Sequence, residues 1–500
     1  MAFNNSRNKL LSALLASSFL WQSNLLCLAA DNGTILKSPL LVAASQAPDS
    51  FVLTGGTSIT PDQAQEKVDQ LSKDILLKEI ELERYNLHYT QEVAVQGRWK
   101  GWRYGGLQIA NNGLGLAGAI IGTSYRGARL NDAAKVKPAI QEQANFIPEI
   151  GAWIGAGAAA MEFGINGYHD MIARRHGFSP TAAMHKVEGL KNEIDRMLAE
   201  RDAITKIENA SPSFALHAQI DAAEGKVLRD LRDQSLLEFD RFHVGARRLI
   251  GFQQMQYFLD LSKYTSNALG YEFGALSLHL HRRRYNGNAG ALFIVSGALT
   301  MTAPMISRYF GKAVGSITEH RIKPIVGDAE HANIAALETD LASLDKLFKE
   351  SGLSPDSIQR TIDREGIYGI HQKAFSDEIR AGQKKRADSK LSATQNVGAG
   401  LYVGGSKIAS GVLFSIVGFH HEYNTKTPRA NHVTNDDLFA GSVIGIPATA
   451  FSILDTLRIQ VRGELKRKHL EKKGMLPAQL ITLRLQQLDE QEHRIKGIKP

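Results

Sequence analysis

The chain has 500 residues, which is enough for about three domains of ordinary size. Apolar residues make up 43% and charged residues 22%, which excludes a disordered chain. The mean hydropathy of -0.20 excludes a chain that is mostly embedded in membrane, but it allows a few spanning segments. The net charge of +8 is small for this length and is not gathered into one block, so no nucleic-acid-binding surface is indicated.

The first 30 residues have the pattern of an export signal. Arg7 and Lys9 form a basic start, residues 10–20 are apolar, and Ala29 and Ala30 offer a small-residue cleavage site. The alternative is an uncleaved N-terminal anchor, but the polar residues 22–24 interrupt a full membrane span. We therefore expect export and cleavage.

The removed segment contains Cys27, the only cysteine of the chain. Cleavage would leave a mature protein without a disulfide and without a cysteine-ligated metal. Residues 31–59 follow with Asn, Gly, Ser and Pro around short apolar runs, and they are predicted to form a linker.

The remainder is predicted to be all-α, with one order of helices repeated three times, over 60–210, 211–353 and 354–500. Each copy opens with Ser or Thr followed by Pro, because the hydroxyl caps a free amide and proline lacks only a donor that the helix would leave unpaired. An amphipathic helix, a pair of Gly-rich apolar segments and a heptad-patterned helix then follow. The three openings are Thr60-Pro61, Ser211-Pro212 and Ser354-Pro355.

The closing helices of the copies carry apolar residues at heptad spacing, as does the leading helix of the first copy. Such stripes pack helix against helix. Two interpretations remain open: packing inside one chain, or recruitment of a second copy into a homo-oligomer or of another partner. The stripes comprise Val187, Leu190, Ile194 and Met197; Ile334, Leu337, Leu341, Leu344 and Phe348; Ile481, Leu485 and Leu488; and, in the leading helix, Val68, Leu71, Ile75, Leu82 and Tyr85.

The six apolar segments approach the length of about 20 residues that a membrane-spanning helix needs. Five of them contain glycines four residues apart, which lie on one helix face and permit close helix packing. A soluble helical hairpin that uses glycine for tight packing is the alternative. The segments are 105–124, 150–167, 264–280, 285–307, 395–419 and 438–454, and the glycine pairs are Gly118/Gly122, Gly151/Gly155, Gly270/Gly274, Gly400/Gly404 and Gly441/Gly445.

The residues around these segments favour the membrane interpretation. Basic and aromatic residues over 98–104 suit a lipid headgroup region, and the loop inside each hairpin is basic. If the signal exports the N-terminus, three hairpins place those loops in the cytoplasm and the polar helices on the outer or periplasmic side. The predicted location is therefore the cell membrane, with lipid as the main partner.

Ionisable residues within the segments are candidate functional sites, because charge inside a membrane is costly. They are Glu162, Glu272, Lys407 and Asp455. The alternative is that Glu162 and Asp455 lie at the membrane–water interface and have no functional role. Pro304 and Pro447 are expected to kink their helices.

Sequence motifs of catalysis are missing: there is no Walker loop, HExxH, GxSxG or EF-hand pattern, so no catalytic, cofactor or metal residue is predicted. The expected function is non-catalytic: an exported envelope scaffold or oligomeric membrane assembly. Two alternatives stay open, namely a channel or transporter that uses the ionisable residues, and a soluble secreted protein that binds a partner or lipid.

Overall fold

The computed structural model describes residues 61–94, 99–131, 138–209, 215–327, 329, 332–351, 355–420 and 428–498, which lie in one compact unit, Ile59–Pro500. The predicted export signal and linker lie outside these residues. Within them the regular structure is helical without strands, which confirms the all-α prediction. The helices are α1 (Pro61–Ala94), α2 (Trp99–Asn131), α3 (Pro138–Arg175), α4 (Pro180–Asn209), α5 (Ala215–His279), α6 (Arg284–Val326), α7 (Ile334–Glu350), α8 (Pro355–Ser415, continued by a π-helical turn Ile416–His420), α9 (Pro428–Lys472) and α10 (Pro477–Gly497).

The two longest helices join what the sequence presents as separate elements. α5 and α8 each run from a polar start into a predicted apolar segment without interruption. Neither contains a proline after its first residue, so nothing removes a backbone hydrogen bond between the two parts. Pro304 and Pro447 lie inside the continuous helices α6 and α9.

The polar helices pack into one assembly, here called the polar bundle: α1, α4, α7, α10 and the N-terminal halves of α5 and α8. Its core contains fully or almost fully buried aliphatic side chains from all three predicted copies, including Ile75, Ile194, Leu228, Leu344 and Leu488. The copies therefore share a core, because each amphipathic helix buries its apolar stripe against helices of the others. The threefold repeat and its boundaries remain a prediction.

The heptad stripes pack inside this chain. Val187 and Leu190 of α4 are buried in a second cluster with Phe239 of α5 and Ile322 of α6. Leu337, Leu344, Ile481 and Leu488 are buried in the main core. A homo-oligomer built on the heptad helices remains a prediction, and it would have to use faces other than these.

A network of ions is buried at the centre of the polar bundle. The Glu224 carboxylate accepts hydrogen bonds from Arg201 Nη2 and Arg364 Nε, each at 2.7 Å, and from the Tyr368 hydroxyl at 2.7 Å. Asp69 of α1 accepts a further bond from Arg364 at 2.8 Å. Burial opposes ionisation of Glu224, but the two arginines outweigh it and lower its pKa to about 2. The network links α1, α4, α5 and α8.

The apolar helices form a second assembly, here called the helical ring: α2, α3, the C-terminal half of α5, α6, the C-terminal half of α8, and α9. Each helix packs against the next in that order, and α9 packs back against α2. The α9–α2 contact includes a hydrogen bond of 3.0 Å from Asn112 to Ser452. The ring therefore closes on itself and has an inside and an outside.

Glycines lie at the helix contacts of the ring. A Cβ atom built at Gly151 of α3 would lie 2.8 Å from the Asn111 carbonyl oxygen of α2, which leaves no room for a side chain. Nine of the ten predicted glycines have an atom of another residue within 4 Å of such a Cβ position, at ordinary contact distance for Gly122 and Gly274, whereas Gly445 has none. The nine are Gly118, Gly122, Gly151, Gly155, Gly270, Gly274, Gly400, Gly404 and Gly441.

The closest backbone approach joins α6 to α8, which belong to different predicted copies. A Cβ at Gly411 would lie 2.7 Å from the Gly290 carbonyl oxygen, and one at Gly404 would lie 2.6 Å from the Gly297 carbonyl oxygen. Gly404 and Gly411 are seven residues apart, as are Gly290 and Gly297. A spacing of four residues does not predict this contact, whereas the spacing of seven in both helices is the sequence signal for it.

The outside of the ring is rich in exposed apolar side chains. Val295 of α6 is 47% exposed, Tyr402 of α8 is 47% exposed and Leu454 of α9 is 66% exposed. In the polar bundle, exposed side chains of this kind are fewer; Leu480 and Leu483 lie on α10, and Met475 lies just before it. Among the described residues, three helical stretches each contain a window that is long and apolar enough to cross a membrane, and these stretches are Arg284–Val326, Thr394–His420 and Val433–Gly497. The fold is therefore compatible with a membrane location.

Candidate functional site

The inside of the helical ring holds a group of polar side chains from α2, α5 and α8. These three helices alternate around the ring with α3, α6 and α9, so side chains that join α2 to α5 meet across its interior. The Tyr104 hydroxyl of α2 donates to Asp260 Oδ2 of α5 at 2.6 Å. One helix comes from each predicted copy, so the group exists only in the folded chain.

Asp260 is the central anion of the group. It is 7% exposed, and its other carboxylate oxygen accepts a bond of 2.5 Å from Lys263 Nζ. The same ammonium lies 4.2 Å from the ring centroid of Tyr264, in a cation–π contact. The Tyr264 hydroxyl donates in turn to Gln108 of α2. The carboxylate is thus held between one cation and one phenol.

Lys407 is the one predicted ionisable residue that joins this group. It lies on α8 within the stretch Thr394–His420, and it interacts electrostatically with both Lys263 and Asp260. Two lysines therefore lie near a single carboxylate, and Lys263 is the one that is bonded to it. Here "the interior cluster" denotes Tyr104, Asp260, Lys263, Tyr264 and Lys407.

The chemistry available to the interior cluster is proton exchange or ion binding. A carboxylate, two amines and two phenols lie in or beside helices of apolar composition, where a charge persists only with partners. Two amines against one carboxylate leave an excess positive charge when all are ionised. An anion or the loss of one proton would balance it.

The other predicted residues lie elsewhere. Glu162 of α3 is fully buried, and its carboxylate accepts a bond of 2.6 Å from Arg103 Nε of α2. Asp455 of α9 pairs with Arg458 one turn later, at 2.5 Å. Glu272 of α5 is half-buried. None of the three is among the side chains of the interior cluster.

Sequence reasoning missed Asp260 and Lys263 because they precede the predicted segment 264–280. The signal for them was an acid and a base three residues apart on a helix, immediately before Tyr264. That pattern is common on water-exposed helices. Only the neighbouring helices show that the pair is enclosed.

In the part of the chain that the structure describes, no group of three or more His, Cys, Asp or Glu side chains is placed to hold a metal ion. Comparison with family models, with curated proteins and with solved structures finds no match to this chain.

Proposed function

We propose that the protein is a non-catalytic helical membrane protein, an envelope scaffold or oligomeric membrane assembly. In this proposal the helical ring lies in lipid and the polar bundle lies in water. The supporting observation is the contrast between the outside of the ring, which exposes residues such as Val295 and Leu454, and the polar bundle, whose large aliphatic residues are mostly buried. Water would penalise the first surface by about 25 cal/mol for each Å² of apolar area, whereas lipid would not.

The roles of the individual helices follow from composition. α6, α8 and α9 each include a stretch apolar enough to face lipid. α2, α3 and α5 carry more polar side chains, and small residues such as Ala152 and Ala159 of α3 are fully buried between neighbours. These three helices would enter the membrane as part of the assembled ring, since neighbouring helices can bind their polar side chains and lipid cannot.

Extraction of membranes with alkaline carbonate tests the proposal. We expect the full-length chain to stay in the pellet and to require detergent for release. Release into the carbonate supernatant would contradict membrane insertion and favour the soluble partner- or lipid-binding alternative.

Sidedness is a finer part of the proposal: an exported chain with its polar bundle on the outer side and its basic hairpin loops in the cytoplasm. Proteolysis from the outside should cleave the linkers of the polar bundle and spare the turn at Arg283. Cleavage at Arg283 in sealed cells would reverse the assigned topology.

A channel or transporter is the second candidate, and the interior cluster favours it. Lys407 lies near enough to Asp260 and Lys263 for their charges to act on it, within a helix that is long enough to span. Reconstitution into liposomes with a pH-sensitive dye tests this function. Flux that is lost in Lys407→Met, with unfolding temperature retained, would support it; absence of flux in the wild type would leave the scaffold proposal.

A further inference from the structure

A pocket of about 230 Å³ lies where the polar bundle meets the helical ring. The end of α1, the start of α2, the C-terminal half of α3 and the middle of α5 surround it. Its lining includes Lys100, Arg103, Asn166, Asp170 and Gln253. The volume is smaller than the 300–1,000 Å³ typical of drug-sized ligands, so it suits a small polar group.

The donors of this pocket are the feature that points to an anion. Lys100 Nζ donates to two neutral amide oxygens, Asn166 Oδ1 at 2.7 Å and Gln253 Oε1 at 3.0 Å. Within the described residues, Asn166 Nδ2 is a buried donor that has no acceptor. A cation held by neutral groups and an unused N–H therefore line the same small space.

The nearby charges are otherwise matched. Arg103 binds the buried Glu162 carboxylate at 2.6 Å. Asp170 accepts bonds from Arg174 at 2.9 Å and from Arg247 at 3.1 Å. Glu92 lies 3.7 Å from the ring nitrogen of His176, at the exposed rim. Burial lowers the pKa of Lys100 by more than the nearby Glu162 charge raises it, so a bound anion would restore a favourable environment for the Lys100 charge.

The position of the pocket identifies the source of the anion. Trp99, which also lines it, is 70% exposed, and Trp102 is 39% exposed one turn later. Exposed tryptophans next to basic residues mark the headgroup level of a bilayer. If the helical ring lies in lipid, this opening faces the phosphates of the adjacent leaflet.

We propose that this pocket binds the phosphate of an anionic phospholipid headgroup, with Lys100 and Asn166 as the donors. This inference rests on the proposed membrane location. Lys100 would supply the charge-assisted bond, and the free Nδ2 hydrogen of Asn166 would supply a second. The acyl chains would lie along the apolar outside of the ring.

Thermal unfolding of the purified full-length protein in neutral detergent tests the site. The probes are dioctanoyl phosphatidylglycerol, dioctanoyl phosphatidylcholine and inorganic phosphate. We expect a saturable rise in unfolding temperature with phosphatidylglycerol and little rise with the other two. An equal response to inorganic phosphate would overturn the lipid assignment, and no saturable response to phosphatidylglycerol would overturn the site.

Two variants and one control locate the effect. Lys100→Gln and the isosteric Asn166→Asp should each weaken phosphatidylglycerol binding at least about tenfold, as expected when a charged hydrogen-bond partner is lost or repelled. Lys226→Gln, on the exposed face of α5, should bind like the wild type. If Lys100→Gln does not fold, Asn166→Asp decides alone, and wild-type affinity in either folded variant would overturn the proposal.

Carbonate extraction separates this inference from the proposed function. Lys100→Gln should remain in the membrane pellet, because the helical ring is unchanged. A wild-type chain that is extracted by carbonate would defeat membrane insertion, whatever the result of the lipid titration. A chain that stays in the pellet but shows no saturable response to phosphatidylglycerol would contradict the headgroup site and leave the membrane location standing.

Discussion

The polar bundle and the helical ring solve the same packing problem in different ways. In the bundle, large aliphatic side chains such as Ile75 and Leu228 are buried and an ionic network crosses the centre. In the ring, glycines bring backbones together, as at Gly290 and Gly411, while large apolar residues point outward. Side-chain burial is the main source of stability in water. Where the surroundings are themselves apolar, close packing of helix backbones stabilises the fold instead.

Replacing the central anion of the polar bundle should give the largest effect. In Glu224→Gln the two arginines remain buried with less compensating charge, so we expect a loss of about 3–5 kcal/mol in the free energy of unfolding. Denaturant unfolding measures it. Glu490→Gln, on an exposed face of α10, is the matched control and should change stability by no more than about 0.5 kcal/mol.

The same carboxylate predicts how acid affects the bundle. Its folded pKa of about 2 lies below the ordinary value of 4.5, so its contribution is present above pH 4.5 and is lost as the pH falls toward 2. Glu83, which pairs with His371 and Arg484, shifts in the same direction, to about 2, because these partners outweigh its burial. A shallower acid transition in Glu224→Gln than in the wild type is the expected result.

Introducing a charge on the outside of the ring comes second. Val295→Arg places a guanidinium near the middle of segment 285–307, which should cost about 2.5–3.5 kcal/mol in a bilayer. Retention in the membrane fraction and unfolding in lipid nanodiscs measure the cost. Leu483→Arg changes a residue of α10 that is 51% exposed, and it should be nearly neutral. Equal effects of the two variants would remove the proposed difference in surroundings between ring and bundle.

Adding a side chain at a glycine contact of the ring should have the next largest effect. Gly411→Leu would push α8 away from the Gly290 carbonyl, with an expected loss of about 1–3 kcal/mol. Gly405→Leu lies on the same helix with no neighbour within 4 Å of its Cβ position. Thermal unfolding in detergent should separate the two variants; if both behave alike, the close approach of α6 and α8 does not limit stability.

The smallest effect concerns a pair of like charges between α5 and α7. Partial burial and the nearby Asp340 carboxylate raise the pKa of Asp230 from 3.8 to about 6. The folded state therefore holds a proton that the unfolded state releases, and stability falls as the pH rises between these values. Asp340→Asn should remove much of that fall and stabilise the protein at neutral pH by less than about 1 kcal/mol, because the pair is partly exposed to solvent.

Unfolding curves taken at several pH values between about 4 and about 7 measure this change. Asp363→Asn, at an exposed position on α8, is the control and should leave the pH dependence as it is. A wild-type pH dependence in Asp340→Asn would show that the two carboxylates do not interact.

The sequence by itself determined the helices and the surfaces they must cover. Heptad spacing identified Leu337 and Leu344 as core residues, and glycines four apart identified contact faces such as Gly151, because these patterns depend only on the period of a helix. It also identified Lys407, since a charged residue within an apolar segment can be recognised from the sequence alone.

Only the tertiary structure decided which helices are neighbours. The contact of α6 with α8, the closure of α9 on α2 and the meeting of Asp260 with Tyr104 join residues about 100 to 350 positions apart, a separation at which helical periodicity carries no information. Periodicity specifies the face that a helix buries, but the partner is chosen by the shape and charge of every competing surface at once.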